Sequence, residues 1–198
     1  MANGQVTTGF SSPKIALYTE SSGTVSYSGL MVLARGVNVT IAPETSDDNN
    51  FFADNVLAES DAGRFTGGEL TLEVDGLLDT ARKTLMGLPT ATTASVSGQT
   101  VDIYHYDDDQ AIPYVGVGFV TRVQSGGVVS YIPTVLKKVK FEIPELSAAT
   151  QEEEIDWQTE SLTGHIMRDD SAKHEWRLVG EAVTSEALAI AVVDSLLS

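Results

Sequence analysis

The chain has 198 residues, with 12 lysines and arginines against 28 aspartates and glutamates, so its formal net charge at pH 7 is -16. This length fits a single domain, residues 1–198, and the acidic balance argues against affinity for nucleic acid or for anionic membrane surfaces. The lack of cysteine excludes a disulfide framework and thiolate metal sites. No apolar run is long enough to predict a transmembrane helix, so no membrane anchor is expected.

The N-terminal residues 1–12 are rich in glycine, serine and threonine. They lack the charged and apolar regions of a secretory signal. The composition predicts a flexible N-terminal arm.

Two stretches in the first half of the chain alternate apolar and polar residues, which predicts strands with one buried face. The apolar positions are Val37, Val39 and Ile41 in the first stretch and Leu70, Leu72 and Val74 in the second. Glu69 and Glu73 alternate with the second set, so we expect these two carboxylates to point outward.

Residues 42–68 form a long connection that holds a small apolar patch between polar turns. The patch consists of Phe51, Phe52, Val56 and Leu57. Loops of this length are usually functional or disordered. An apolar patch in a polar loop indicates contact with another surface.

Two segments have a helical pattern. In the first, Leu78, Ala81 and Leu85 recur at helical spacing, with Asp75 as the predicted cap and Gly87 as the predicted end. The second begins at Thr184 or Ser185 and is predicted to pack on a sheet through an apolar stripe. The predicted stripe consists of Leu188, Ala191, Val192 and Leu196.

The clearest hairpin spans residues 113–133. Its turn is Gly126 and Gly127, which supply the positive φ angles of a tight turn. Gly116 and Gly118 share one face of the first strand and indicate close approach of another backbone or a flat side chain. A shorter strand is predicted at residues 101–106, with Val101 and Ile103 in phase.

A lysine cluster follows the hairpin. Its outward set is Lys138, Lys140 and Glu142, and its inward set is Val139, Phe141 and Ile143, with Lys137 at the end of the inward set. Three lysines without interleaved aromatic residues make a poor nucleic-acid site. Ion pairing to acids of the protein itself, within or between subunits, is favoured, and a plain solvated face stays an alternative. Two further strands are predicted around Trp157 and Trp176.

No catalytic constellation stands out. The three histidines are not spaced as zinc ligands, and the acidic stretches do not fit a calcium loop. Nucleophile-elbow and phosphate-loop motifs are absent from the sequence. We therefore expect no enzymatic activity and no cofactor.

The ordered set of these features resembles the major tail protein (tail-tube) family of long, non-contractile-tailed bacteriophages. The matching pieces run from about Pro13 to Leu197 and are FFADN, GGELTLEVDGL, PYVGVGFVTRV, YIPTVLKKVKFEIPE, EEIDWQTESLTGHI and TSEALAIAVV. The resemblance implies a mainly β fold: an antiparallel, β-sandwich or barrel-like core with a flanking α-helix, a second C-terminal helix and the long loop.

The resemblance also implies a function. Six subunits form a ring, and the rings stack into a tube that conducts double-stranded DNA to the host without binding it specifically. The implied partners are further copies of the chain and other tail proteins (tape measure, tail terminator and distal tail). The implied location is the virion tail, after assembly in the host cytoplasm.

On this reading three groups of residues carry the function. The long loop contacts the next subunit or ring through Phe51, Phe52, Asp54 and Asn55. Lys138, Lys140 and Glu142 form ion pairs between subunits. The lumen is lined by Glu69 and Glu73, or by Glu152, Glu153 and Glu154.

Two other classes compete with this structural role. A β-sandwich binding module for carbohydrate or surface adhesion requires exposed aromatic residues in a groove. A small hydrolase requires a nucleophile or a metal motif.

Overall fold

The computed structural model describes residues 4–89, 91–147, 150 and 158–198. This part of the chain is mainly β, with antiparallel sheets and two helices, which confirms the predicted fold class. Its strands are β1 Val6–Ser21, β2 Thr24–Val32, β3 Gly36–Thr45, β4 Asn49–Ala53, β5 Val56–Asp61, β6 Phe65–Val74, β7 Thr92–Val96, β8 Gln99–Ile103, β9 Val115–Ser125, β10 Val128–Phe141, β11 Glu160–Met167 and β12 Arg177–Val179. Its helices are α1 Asp79–Met86 and α2 Glu186–Leu196. Neither of these helices has the length and apolar character needed to cross a membrane.

One sheet organises the molecule. Its strand order is β2-β1-β9-β10-β11-β6-β3, and β12 pairs with the free half of β10. Strands β1 and β3 contact each other although four strands separate them in this order, which shows that the sheet is curled. Among the described residues the sheet does not close into a barrel, so the outer edges of β2 and β3 stay unpaired.

The main core fills the inside of the curl. Leu70, Leu72 and Val74 of β6 are fully buried, as their alternation predicts. They pack with residues from the opposite half of the sheet, including Val117 of β9. Helix α1 covers one end of this core with Ala81, Leu85 and Met86.

A second apolar cluster lies on the other face of β9, where α2 packs. A Cβ at Gly118 would come within 2.4 Å of Val193 Cγ1, and one at Gly116 within 2.6 Å of both Leu197 and the Tyr27 ring. The two glycines therefore admit a helix and a flat side chain, which confirms the steric role predicted for them.

The helix ends are partly as predicted. Ser185 caps α2 by accepting a hydrogen bond from the Leu188 N–H, and Gly87 ends α1 in the left-handed region with φ of 57°. Asp75 was the wrong cap for α1. The helix begins at Asp79, and the Asp75 carboxylate instead accepts a hydrogen bond from the Arg35 N–H at 2.9 Å.

The buried stripe of α2 is not the predicted one. The residues that face the sheet are Ala189, Val193 and Leu197, whereas Leu188 and Leu196 are exposed. The helix carries apolar residues on nearly all sides, so the spacing of its apolar residues does not predict which side is buried. Packing over Gly116 and Gly118 decides it.

The predicted flexible arm at 1–12 is wrong from Val6 onward. This segment is the start of β1 and pairs with β9, with Phe10 opposite Thr121 and Ser11 opposite Val120. Its small polar residues are ordered because the β9 edge supplies hydrogen-bond partners, a tertiary effect that outweighs strand propensity.

Three residues predicted to be inward are exposed. Ile143 is 56% exposed because β10 ends at Phe141, and Val37 is exposed because the β3–β6 register shifts between Gly36 and Asn38. Leu78 is exposed because it precedes α1 instead of lying within it. The strand predicted around Trp157 lies largely outside the described residues, and the one around Trp176 is confirmed by β12.

Candidate assembly surface

The long connection at 42–68 contains a β-hairpin rather than an irregular loop. Strands β4 and β5 pair with each other in a two-stranded sheet separate from the main one, and every residue of both strands is exposed. Phe51 is 63% exposed and Phe52 is 62% exposed. A two-stranded hairpin is only marginally stable alone in water, so contact with another surface would stabilise this one.

The two faces of this hairpin differ in charge. Phe51 lies opposite Glu59, and Ala53 lies opposite Val56, so one face combines apolar side chains with a carboxylate. Phe52 lies opposite Leu57 and Asn50 lies opposite Ser60, so the other face combines apolar side chains with uncharged polar ones.

The predicted contact residues Asp54 and Asn55 form the turn of the hairpin. Their φ angles are 52° and 64°, in the left-handed region that aspartate and asparagine tolerate best among non-glycine residues. This geometry gives a tight two-residue turn between β4 and β5. Contact of these four loop residues with another subunit stays a prediction.

A second exposed hairpin, β7–β8, was missed as a surface element. Its turn is Ser97–Gly98, with φ angles of 52° and 79°, and Val96 is 72% exposed. Strand β8, Gln99–Ile103, covers only the first half of the strand predicted at residues 101–106, and Val101 and Ile103 are exposed because β7 is its only partner among the described strands. The Ser-Gly pair between two alternating stretches was the sequence signal for this hairpin.

The lysine cluster lies at a bulge in β10. The register against β9 shifts between Leu136 and Val139, so both of these face the core and Lys137 turns to the opposite side. There Lys137 forms ion pairs with Asp169 and with Glu175.

Asp169 is the most buried acid in the described chain, with 1% of its surface exposed. Burial alone would raise its pKa, but hydrogen bonds from Lys137 and Ser171 outweigh burial and hold the pKa below its ordinary value. Burial likewise acts to lower the pKa of Lys137, and its hydrogen bonds to Asp169 and Glu175 raise the pKa overall. The pair is therefore ionised at neutral pH.

Lys138 has its partners in the same chain. Its ammonium group lies 2.6 Å from the Asp170 carboxylate and 4.7 Å from the centre of the Tyr114 ring. The hydrogen bond from Lys138, followed by that from Tyr18, lowers the pKa of Asp170. Lys140 also lies over Tyr114, at 5.6 Å.

These contacts favour ion pairing within the chain for Lys138. Glu142 likewise lies 2.8 Å from His165 of β11. The sequence does not indicate the partners Asp170 and His165. They lie in or just after β11 and approach the lysine cluster only because β11 pairs with β10. A role for Lys138, Lys140 and Glu142 between subunits stays a prediction.

The candidate lumen acids that the structure describes lie on the polar face of the sheet. Glu69 is exposed and lies opposite His165, while Glu73 accepts a hydrogen bond from Thr159 at 2.6 Å. A row of threonines, Thr40, Thr71 and Thr163, crosses the same face between them. Glu152, Glu153 and Glu154 lie outside the described residues.

The sequence matches no known protein-family model and none of the curated proteins. In the described part of the chain, no group of three or more histidine, aspartate and glutamate side chains is arranged to hold a metal ion. The features that stand out in the described chain are surfaces: two exposed hairpins, two sheet edges without a strand partner and a polar sheet face.

Proposed function

We propose that this chain is a structural subunit that self-assembles into stacked hexameric rings, and that the rings form the tail tube of a bacteriophage virion. The observation that carries the proposal is the β4–β5 hairpin. Its residues are all exposed, and both faces present large apolar side chains to water. Exposed apolar patches of this kind mark interaction surfaces on soluble proteins.

The sheet edges support the same proposal. The outer edges of β2 and β3 carry backbone groups without strand partners among the described residues. Unpaired edges are templates for pairing with another chain. A head-to-tail contact between different surfaces closes into a ring when the rotation between subunits allows it.

The charge of the chain supports a conduit for DNA. A net charge of -16 repels phosphate, so DNA passes without being held. Salt screens this repulsion beyond about 8 Å, so it acts close to the wall. The wall is assigned to the polar face that carries Glu69 and Glu73. Other tail proteins bind the ends of such a tube.

Electron microscopy of the purified protein, with light scattering on the same sample, tests the proposal. We expect rings or tubes whose abundance rises with protein concentration. A protein that stays monomeric over the whole accessible concentration range would contradict the proposal. Glycan binding by that monomer would then support the alternative, a carbohydrate-binding or adhesion module.

A further inference from the structure

A groove opens between strands β3 and β12, and it is also lined by residues of β1, β9 and β10. Its volume is about 330 Å³. Its lining residues are Thr7, Val39, Ile41, Phe119, Thr121, Thr134, Arg177 and Val179. Apart from Arg177, these lining side chains are apolar or are threonines. The groove is therefore an apolar slot with a single positive charge on its wall.

Arg177 lies against an aromatic ring and has no acid partner among the described residues. Its guanidinium group lies 4.7 Å from the centre of the Trp176 ring, and Trp176 stacks on Phe65 with ring centroids 4.3 Å apart. Within the described chain Arg177 forms no ion pair, although the protein carries 28 acidic residues. An oriented arginine beside an apolar slot suits a ligand that combines an apolar anchor with a carboxylate.

The β4–β5 hairpin has this composition. Between Glu44 and Gly63 the chain carries carboxylates and no lysine or arginine. On one hairpin face Phe51 and Val56 are exposed and Glu59 lies directly opposite Phe51. The hairpin leaves the main sheet after β3, and its own Phe51 stays exposed in this structure.

We propose that the β4–β5 hairpin of one copy inserts into the β3–β12 groove of a second copy. Phe51 fills the apolar slot beside Val39 and Ile41, and Glu59 pairs with Arg177. The hairpin and the groove are different surfaces, so the contact is head-to-tail and repeats from copy to copy. This inference rests on the proposed self-assembly, and it identifies the groove of the second copy as the surface that binds the hairpin.

Disulfide trapping tests the contact directly, because the native chain has no cysteine. One sample carries Ala53→Cys on the hairpin and a second carries Val179→Cys on the groove. After mixing and mild oxidation, we expect a cross-linked pair that contains one copy of each variant, since a disulfide forms only between neighbouring residues. The matched control mixes Val96→Cys, on the other exposed hairpin, with Val179→Cys.

A charge swap tests the predicted ion pair. Arg177→Glu faces Glu59 with a like charge, so we expect the concentration needed for assembly to rise by about tenfold or more. Adding Glu59→Arg should restore assembly. Lys173→Glu makes the same change in net charge at an exposed site away from the groove and should assemble normally. Circular dichroism and thermal melts confirm that each variant is folded.

The outcomes separate this inference from the proposed function. Rings or tubes that form while Ala53→Cys and Val179→Cys cross-link no better than the control would overturn the docking site and leave the function standing. Failure of Glu59→Arg to rescue Arg177→Glu would overturn the ion pair. A wild-type protein that never associates contradicts the function itself.

Discussion

The ring of Phe65 stacks on the indole of Trp176, with centroids 4.3 Å apart and an angle of 4° between the planes. Phe65 begins β6, and Trp176 immediately precedes β12. The stack joins two parts of the sheet that share no direct strand pairing in the described chain. It also fixes the base from which Arg177 projects.

We expect Trp176→Ala to lower the free energy of unfolding by about 2 to 3 kcal/mol, because a partly buried aromatic ring and its stacking partner lose contact. Trp176→Phe keeps a stacking ring and should cost about 1 kcal/mol. Urea unfolding followed by circular dichroism measures both. Equal losses for the two variants would show that the stack itself does not stabilise the fold.

Gly118→Ala should detach α2 from the sheet. The new methyl group would come within 2.4 Å of Val193 Cγ1 and 2.9 Å of Leu197 Cδ1. We expect a loss of about 2 kcal/mol or more in the free energy of unfolding. Adding Val193→Ala makes room and should recover part of this loss.

Gly67→Ala is the matched control for this variant, because Gly67 also lies in a strand and, among the described residues, its new Cβ would meet only Ile166 O, at 3.7 Å. Thermal unfolding should show little change for Gly67→Ala. If Gly118→Ala melts at the same temperature as Gly67→Ala, the close packing of α2 is contradicted.

Lys137→Met should destabilise the protein in a pH-dependent way. At neutral pH it leaves the buried Asp169 carboxylate without its cation, which costs about 3 kcal/mol. Because the pKa of Asp169 is lowered in the folded wild type, the contribution of the pair is complete above the ordinary carboxyl range and is lost as pH falls through the folded-state pKa.

The difference between wild type and Lys137→Met should therefore narrow as the pH falls from 7 through and below the ordinary carboxyl range, because the Asp169 carboxyl becomes protonated. The raised pKa of Lys137 keeps the pair intact on the alkaline side until the pH exceeds the ordinary lysine range. Unfolding free energies at a series of pH values measure this. Lys173→Met, at an exposed site, serves as control, and a constant difference across the series would exclude the assigned pairing.

The double variant Phe51→Ser, Phe52→Ser should abolish assembly without unfolding the subunit. Both rings are exposed in the single chain, so their loss should change the free energy of unfolding by about 0.5 kcal/mol or less. Electron micrographs should show no rings or tubes. Tyr106→Ser removes another exposed aromatic ring and should assemble normally, and normal assembly of the double variant would rule out the hairpin as a contact.

Local patterns in the sequence determined much of this fold. Alternation placed Leu70, Leu72 and Val74 in the core, and Gly126–Gly127 fixed the β9–β10 turn. Ser185 and Gly87 marked helix ends because capping depends on the neighbouring backbone alone. Gly116 and Gly118 indicated close packing, because two glycines on one face of a strand leave room for another group to approach the backbone.

Long-range contacts decided the rest. The N-terminal strand is ordered because it pairs with β9. The buried side of α2 is set by its packing over Gly116 and Gly118. The acids that neutralise Lys137 and Lys138 lie about 30 residues away and reach them through strand pairing and chain reversal. The groove that holds Arg177 exists because the curl of the sheet brings β3 over β9 and β12. Such juxtapositions follow from the free energy of packing the whole chain, which no local pattern in the sequence records.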